Sequence, residues 1–275
     1  MEGFEVFILV GSAFVIAIVT NICGIGGGVF FVPLLMYFEG IPITIAREIS
    51  QFVLLCGSSV SSISYFRQGR VQIKAGGVAV VFSIAGVLVF KFYFSFLNDA
   101  TVQGIFGSYL LFTAAYFLVP ILRQRLHSKT IPAEKTEMPG REIRAVFMGE
   151  PPNLNGKNWV LKSASFFFAG GFLGAMLGTG GGVIFIPTFC TLLDFPVHFA
   201  TATSIFTLSF DALANVIVAL GRGQILFPLA GTLAAGAIPG AYLGARFSER
   251  VPKDALKGVL SVMFVIVGTI LLLEL

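Results

Sequence analysis

Apolar positions run along this chain in blocks much longer than one face of a helix requires. Residues 4–38 are apolar apart from a glycine cluster, and further blocks follow at 43–66, 72–96 and 101–122. A polar stretch at 123–158 intervenes, and the pattern resumes at 160–177, 183–193, 197–220, 225–247 and 254–273. Unbroken apolar runs of about 18 residues or more mark helices that cross a bilayer. As one helix, 4–38 would reach about 52 Å, against a hydrocarbon core of about 30 Å. The segment must therefore bend. Its glycines predict a helix at 4–22, a loop, and a shorter helix at 29–38, with a turn at Gly40 and Pro42. In the central segment Pro151-Pro152 breaks any helix.

The same pattern occurs twice. Gly24-Ile25-Gly26-Gly27-Gly28-Val29-Phe30-Phe31-Val32-Pro33 returns 154 positions later as Gly178-Thr179-Gly180-Gly181-Gly182-Val183-Ile184-Phe185-Ile186-Pro187. Without a gap, Pro42 then falls on Pro196, Ala46 on Ala200, Ser50 on Ser204, Leu54 on Leu208 and Gly69 on Gly223. Fourteen of 48 positions are identical between 24–71 and 178–225. The chain is an internal duplication, with one glycine cluster in each half.

Composition fixes the class. The 275 residues are 56% hydrophobic and 12% charged, with a mean hydropathy of +0.91. That charged fraction is about half the soluble norm of roughly 25%. The fold class expected is an all-α polytopic membrane protein. Its domains are a first repeat at 1–122, a linker at 123–158 and a second repeat at 159–275. The net charge of +4 resides in a few loops and does not indicate nucleic acid. Cys23, Cys56 and Cys190 are scattered, with no CxxC and no nearby histidine, so neither a zinc site nor a redox pair is predicted, and no metal or cofactor is expected. The start, Met1-Glu2-Gly3-Phe4-Glu5, lacks the basic region and cleavage site of a signal peptide.

The 18 Lys and Arg choose between topologies. If each glycine stretch were one crossing, the two sides would receive twelve and six. If each enters and returns to one face, one side receives fifteen and the other only Arg47, Lys91 and Arg222. The second split fits the positive-inside rule. It places both termini outside and 123–158 in the cytoplasm. A hairpin plus three spans makes the second half enter from the opposite face, so the halves form an inverted repeat, as in many secondary transporters. Each repeat is then a re-entrant-type helical hairpin (4–38 and 160–193) followed by three transmembrane helices.

Irregular backbone at membrane depth occurs where it is covered by protein or lines a cavity. Amides exposed at Gly24, Gly26, Gly27 and Gly28, and at Gly178, Thr179, Gly180, Gly181 and Gly182, open helices near Val29 and Val183 and suit an anion. The bland alternative is that these glycines only permit close helix packing. The following spans supply polar groups, of which Ser50 and Ser204 are repeat-equivalent and so the best side-chain candidates. Membrane hydroxyls also commonly bond the carbonyl four residues back. Asp211, in mid-span, is a candidate proton-coupling residue, since an intramembrane acid is costly. The alternative is an acid hydrogen-bonded to Asn215, and its counterpart, Gly57, shows that the role is not duplicated. Arg47-Glu48 reads as an interfacial pair, and Lys91 as a side chain snorkelling to the outer face.

The paired GxGGGxxxxP motifs, the four-element repeat and the basic central segment resemble the TauE/SafE family of sulfite exporters, also called TSUP. The resemblance covers essentially the whole chain. It implies a secondary transporter, not an enzyme, in the bacterial or archaeal cytoplasmic membrane. It further implies movement of small sulfur-containing anions such as sulfite or sulfoacetate, commonly as export. Roles carry over onto Gly24–Gly28 and Gly178–Gly182 and, more weakly, Pro33 and Pro187. Competing readings are a passive anion channel, a general organic-anion carrier and a membrane-embedded redox protein. The partners expected are a small anion and the bilayer, with room for a homodimer.

Overall fold

The computed structural model describes residues 3–127, 158–248 and 253–273. Ten helices account for nearly all of them: α1 (Gly3–Cys23), α2 (Gly28–Glu39), α3 (Ile43–Arg67), α4 (Ile73–Val89), α5 (Asp99–His127), α6 (Asn158–Leu177), α7 (Gly182–Pro187), α8 (Val197–Gly221), α9 (Phe227–Phe247) and α10 (Lys253–Leu273). A π-helical turn continues α4 through Phe90–Phe94, and another continues α7 through Thr188–Leu192. Among the described residues, five helices are long and apolar enough to cross a membrane: α1, α3, α4 with its π turn, α6 and α8. α9, also 21 residues long, is not among them. The expected linker at 123–158 lies largely outside the described residues.

Equivalent residues start and stop equivalent helices. Pro42 and Pro196 stand at the N-caps of α3 and α8, and the carbonyl of each accepts two amides, one of them an otherwise unpartnered first-turn amide, of Ile45 and Phe199 respectively. Gly69 and Gly223 follow the C-termini at φ +69° and +65°. The next amides, of Arg70 and Gln224, bond back to Tyr65 and Ala219, both at 3.2 Å.

The chain divides into two compact units, Met1–Asp99 with Pro151–Arg250, and Ala100–Glu150 with Val251–Leu275. In the second unit Gly107 of α5 lies against Gly268 and Leu272 of α10, and Gln103 Nε2 donates to the Leu271 carbonyl at 3.1 Å.

In the first unit helices pack chiefly across the repeat boundary. α1 lies on α9, α6 on α4, and both α3 and α4 lie on α8. The approaches are close and repeat-equivalent. A β-carbon on Gly240 would sit 2.3 Å from the Phe14 carbonyl oxygen, and one on Gly86 would sit 2.2 Å from that of Phe168.

Side-chain pairs fix the helix directions. Phe52, in the first half of α3, meets Phe227 at the start of α9, with ring centroids 6.0 Å apart. Ser61 donates to the Ala241 carbonyl farther along, and Arg70 reaches Ser248 beyond both ends, so α3 and α9 run parallel. α4 and α8 are likewise parallel, since the Gln72 amide donates to Thr203 and the Ser83 hydroxyl to Asp211. α3 and α8 run against each other, since Arg70 after the end of α3 contacts His198 at the start of α8. α2 folds back beside α1 and α3, and its 12 residues span about 18 Å, roughly half a bilayer core.

Candidate functional site

α3 and α8 pass each other near Leu54 and Leu208, and both glycine loops lie at that crossing. Gly26 and Gly180, at φ +86° and +70°, rest on these two leucines. L-residues other than Asn and Asp rarely adopt such angles, which accounts for glycine there. The loops then meet backbone to backbone. A β-carbon on Gly28 would sit 2.1 Å from the Gly178 carbonyl oxygen, and one on Gly182 would sit 2.3 Å from that of Ile25. Gly27 and Gly181 sit under the rings of Phe31 and Phe185.

Two hydroxyls bind these loops crosswise. Ser50 Oγ, on α3 of the first half, donates to the Gly178 carbonyl of the second at 2.8 Å. Ser204 Oγ, on α8, donates to the Gly24 carbonyl at 2.9 Å. Both serines are fully buried. Thr207 and Ser209, by contrast, bond carbonyls one turn back, at Thr203 and Ile205. Gln51 joins the crosswise set by donating to the Gly174 carbonyl at 2.9 Å. Thr179 is buried, and its hydroxyl contacts the Gly180 carbonyl of its own loop at 3.1 Å. The structure thus brings the two glycine loops and both serine candidates to one place, where Gly28 meets Gly178 and Gly182 meets Ile25 directly.

Asp211 lies off this contact. Its carboxyl accepts the Ser83 hydroxyl at 2.5 Å, and its other oxygen, Oδ2, has no hydrogen-bond partner. Asn215 donates to the Asp211 backbone carbonyl, not to its carboxyl, because residues one turn apart along a helix align side chain to carbonyl.

Beside the first glycine loop a cavity of about 240 Å³, counting its open side, is lined by Asn21, Gly26, Gly27, Gly57, Ser58 and Ala237, among others. Asn21 Oδ1 and Ser58 Oγ are buried there without hydrogen-bond partners. Buried polar atoms are normally satisfied, so such an exception calls for an explanation. Asn21 and Ser83 carry no motif in the sequence. The signal that could have found them is repeat arithmetic carried into α1, α4 and α9.

The three basic residues expected on the sparsely charged face also converge. Lys91 donates to both carboxylate oxygens of Glu48, Arg47 Nε lies 3.3 Å from Glu48 Oε1, and Arg222 donates to the Lys91 carbonyl. Lys91 is 1% exposed and therefore does not snorkel, because Glu48 offers a charge partner inside the fold. Arg47 also lies over the Phe90 ring, and its backbone abuts Gly178.

The chain matches the family described as Sulfite exporter TauE/SafE over residues 9–271. It is 24% identical to the probable membrane transporter protein YunE of Bacillus subtilis, over 97% of both chains. It is 25% identical to the probable membrane transporter protein MJ0441 of Methanocaldococcus jannaschii, over 97% of this chain and 95% of that one. No solved structure matches it. With apolar spanning helices, twin glycine loops at their crossing and a family match over nearly its whole length, this chain is a membrane transporter of the sulfite exporter TauE/SafE family.

Proposed function

We propose that the protein is a secondary transporter that exports small sulfur-containing anions, sulfite or organosulfonates such as sulfoacetate, across the cytoplasmic membrane by alternating access. The observation that carries this reading is the crosswise pair of bonds, Ser50 to Gly178 and Ser204 to Gly24. Each half holds the loop of the other, so a shift of one half against the other rearranges both loops together. Amides at the loops face a substrate oxyanion when the loops part, and low dielectric strengthens each such bond. The two serines act here by positioning the loops.

The two halves are an inverted repeat in this reading, supported by the opposed directions of α3 and α8 and by the reciprocal approaches of Gly86 and Gly240. Each glycine loop belongs to a re-entrant hairpin, supported by the half-length α2 and by α1 and α3 starting at the same end. Both termini lie outside and the central segment is cytoplasmic, on the distribution of Lys and Arg. The substrate class comes from the family's description. Asp211 carries a proton that couples to anion movement, supported by its burial and its unpartnered oxygen.

The test is counterflow of labelled sulfite in proteoliposomes, with sulfoacetate, thiosulfate and acetate as competitors. Saturable exchange inhibited by the sulfur anions and not by acetate is the expected result. Equal competition by acetate gives a general organic-anion carrier, and unsaturable flux gives a channel.

A further inference from the structure

The cavity beside the first glycine loop has a repeat-equivalent place in the second half, and that place is filled. Shifting its lining by 154 positions turns Gly26 and Gly27 into Gly180 and Gly181, Leu54 into Leu208, Gly57 into Asp211 and Ser58 into Ala212. Shifting Ala237 back by the same step gives Ser83. The Asp211 carboxyl, held by the Ser83 hydroxyl, therefore stands where the first half has only Gly57 and Ala237. Around Gly57 there is room, since a β-carbon there would lie 3.5 Å from its nearest neighbour, Ala241 Cβ.

We propose that this cavity is the seat of the transported anion's oxyacid group, one per chain, and that Asp211 shows by symmetry what fits there: a carboxyl-sized group held by a hydroxyl. The polar side chains are in place. Ser58 supplies an unpartnered O–H, and Asn21 Oδ1 accepts from a protonated oxygen or a bound water. The enclosed part is water-sized, enough for one ligand oxygen, while the remainder of the ligand occupies the open side. No charged side chain lines the cavity, which favours a singly charged species over a doubly charged one. Because the second half is filled, the two halves are unequal in binding although equal in packing.

This inference rests on the transporter reading, and its test separates the two. Binding of labelled sulfite and of sulfoacetate is measured on the purified full chain in detergent, and uptake is measured in proteoliposomes. One saturable site per chain is expected. Gly77→Ala, on α4 away from the cavity, should bind as the parent does, because a β-carbon there meets nothing within 4 Å. Gly57→Asp, which puts a second carboxyl in the cavity, should abolish binding. Ser58→Ala should weaken it about tenfold or more, as loss of one hydrogen bond to a charged ligand does. Elution as a monodisperse protein distinguishes these losses from misfolding, and Ser58→Ala keeps the test open if Gly57→Asp does not fold. Parent-like binding by folded Gly57→Asp or Ser58→Ala, or two equivalent sites per chain, overturns the cavity assignment and leaves the transporter standing. No binding and no uptake by the parent overturns both.

Discussion

Ser50 reaches 128 residues along the chain to bind the carbonyl of Gly178, and Ser204 returns the bond to Gly24. Each serine satisfies a buried loop carbonyl of the opposite half. Ser50→Ala or Ser204→Ala should lower stability by about 1–3 kcal/mol, the cost of stranding a buried acceptor. Thermal unfolding in detergent measures it. The double variant should depart from additivity, because the two loops touch.

The glycines differ sharply in what they tolerate. Gly28→Ala and Gly182→Ala drive a methyl group into the opposite loop's backbone and should abolish both folded yield and transport. Gly77→Ala on α4 meets nothing within 4 Å and should be neutral or stabilising by up to about 1 kcal/mol, the helix-propensity difference. Equal tolerance at all three positions would remove the close loop contact from the account.

Lys91 and Glu48 are both 1% exposed, so neither can be rescued by water. Lys91→Met should destabilise by less than the roughly 3–5 kcal/mol of breaking a lone buried pair, because Arg47 still lies 3.3 Å from the Glu48 carboxylate. Adding Glu48→Gln to that variant should not restore the loss, because it strips the buried Arg47 of its carboxylate, and a double-mutant cycle on unfolding reads the Lys91–Glu48 coupling.

Much of the fold could be read from the sequence because the duplication repeats its punctuation. The glycine loops, the prolines at 42 and 196 and the glycines at 69 and 223 bracket helices in both halves. Burial of charge was not legible. Lys91 follows an apolar run and looks like a snorkelling residue until Glu48, 43 positions earlier, is seen to lie against it. The Ser83–Asp211 pair was equally hidden, since α4 and α8 are joined only through tertiary contact.

Asp211→Asn keeps the size and the bond from Ser83 while removing the titratable proton. Counterflow of sulfite, which needs no net proton movement, should persist in this variant. Accumulation driven by an imposed pH gradient should be lost. If gradient-driven accumulation survives, Asp211 is structural and coupling lies elsewhere.

The turns after α3 and α8 report on topology. Gln68 and Gln224 are both exposed. Single cysteines placed there, in a chain with Cys23, Cys56 and Cys190 replaced, should react with membrane-impermeant thiol reagents from opposite sides. Gln68→Cys should be reached from the cytoplasm and Gln224→Cys from outside.

The exchanged packing of α1 on α9 and α6 on α4 has a developmental meaning. Neither half owns the surface its first helix needs. A polypeptide made of one half alone could cover that helix only by borrowing from a second molecule. Separately produced halves of the present chain should still find each other, and fusion then freed positions such as 57 and 211 to diverge.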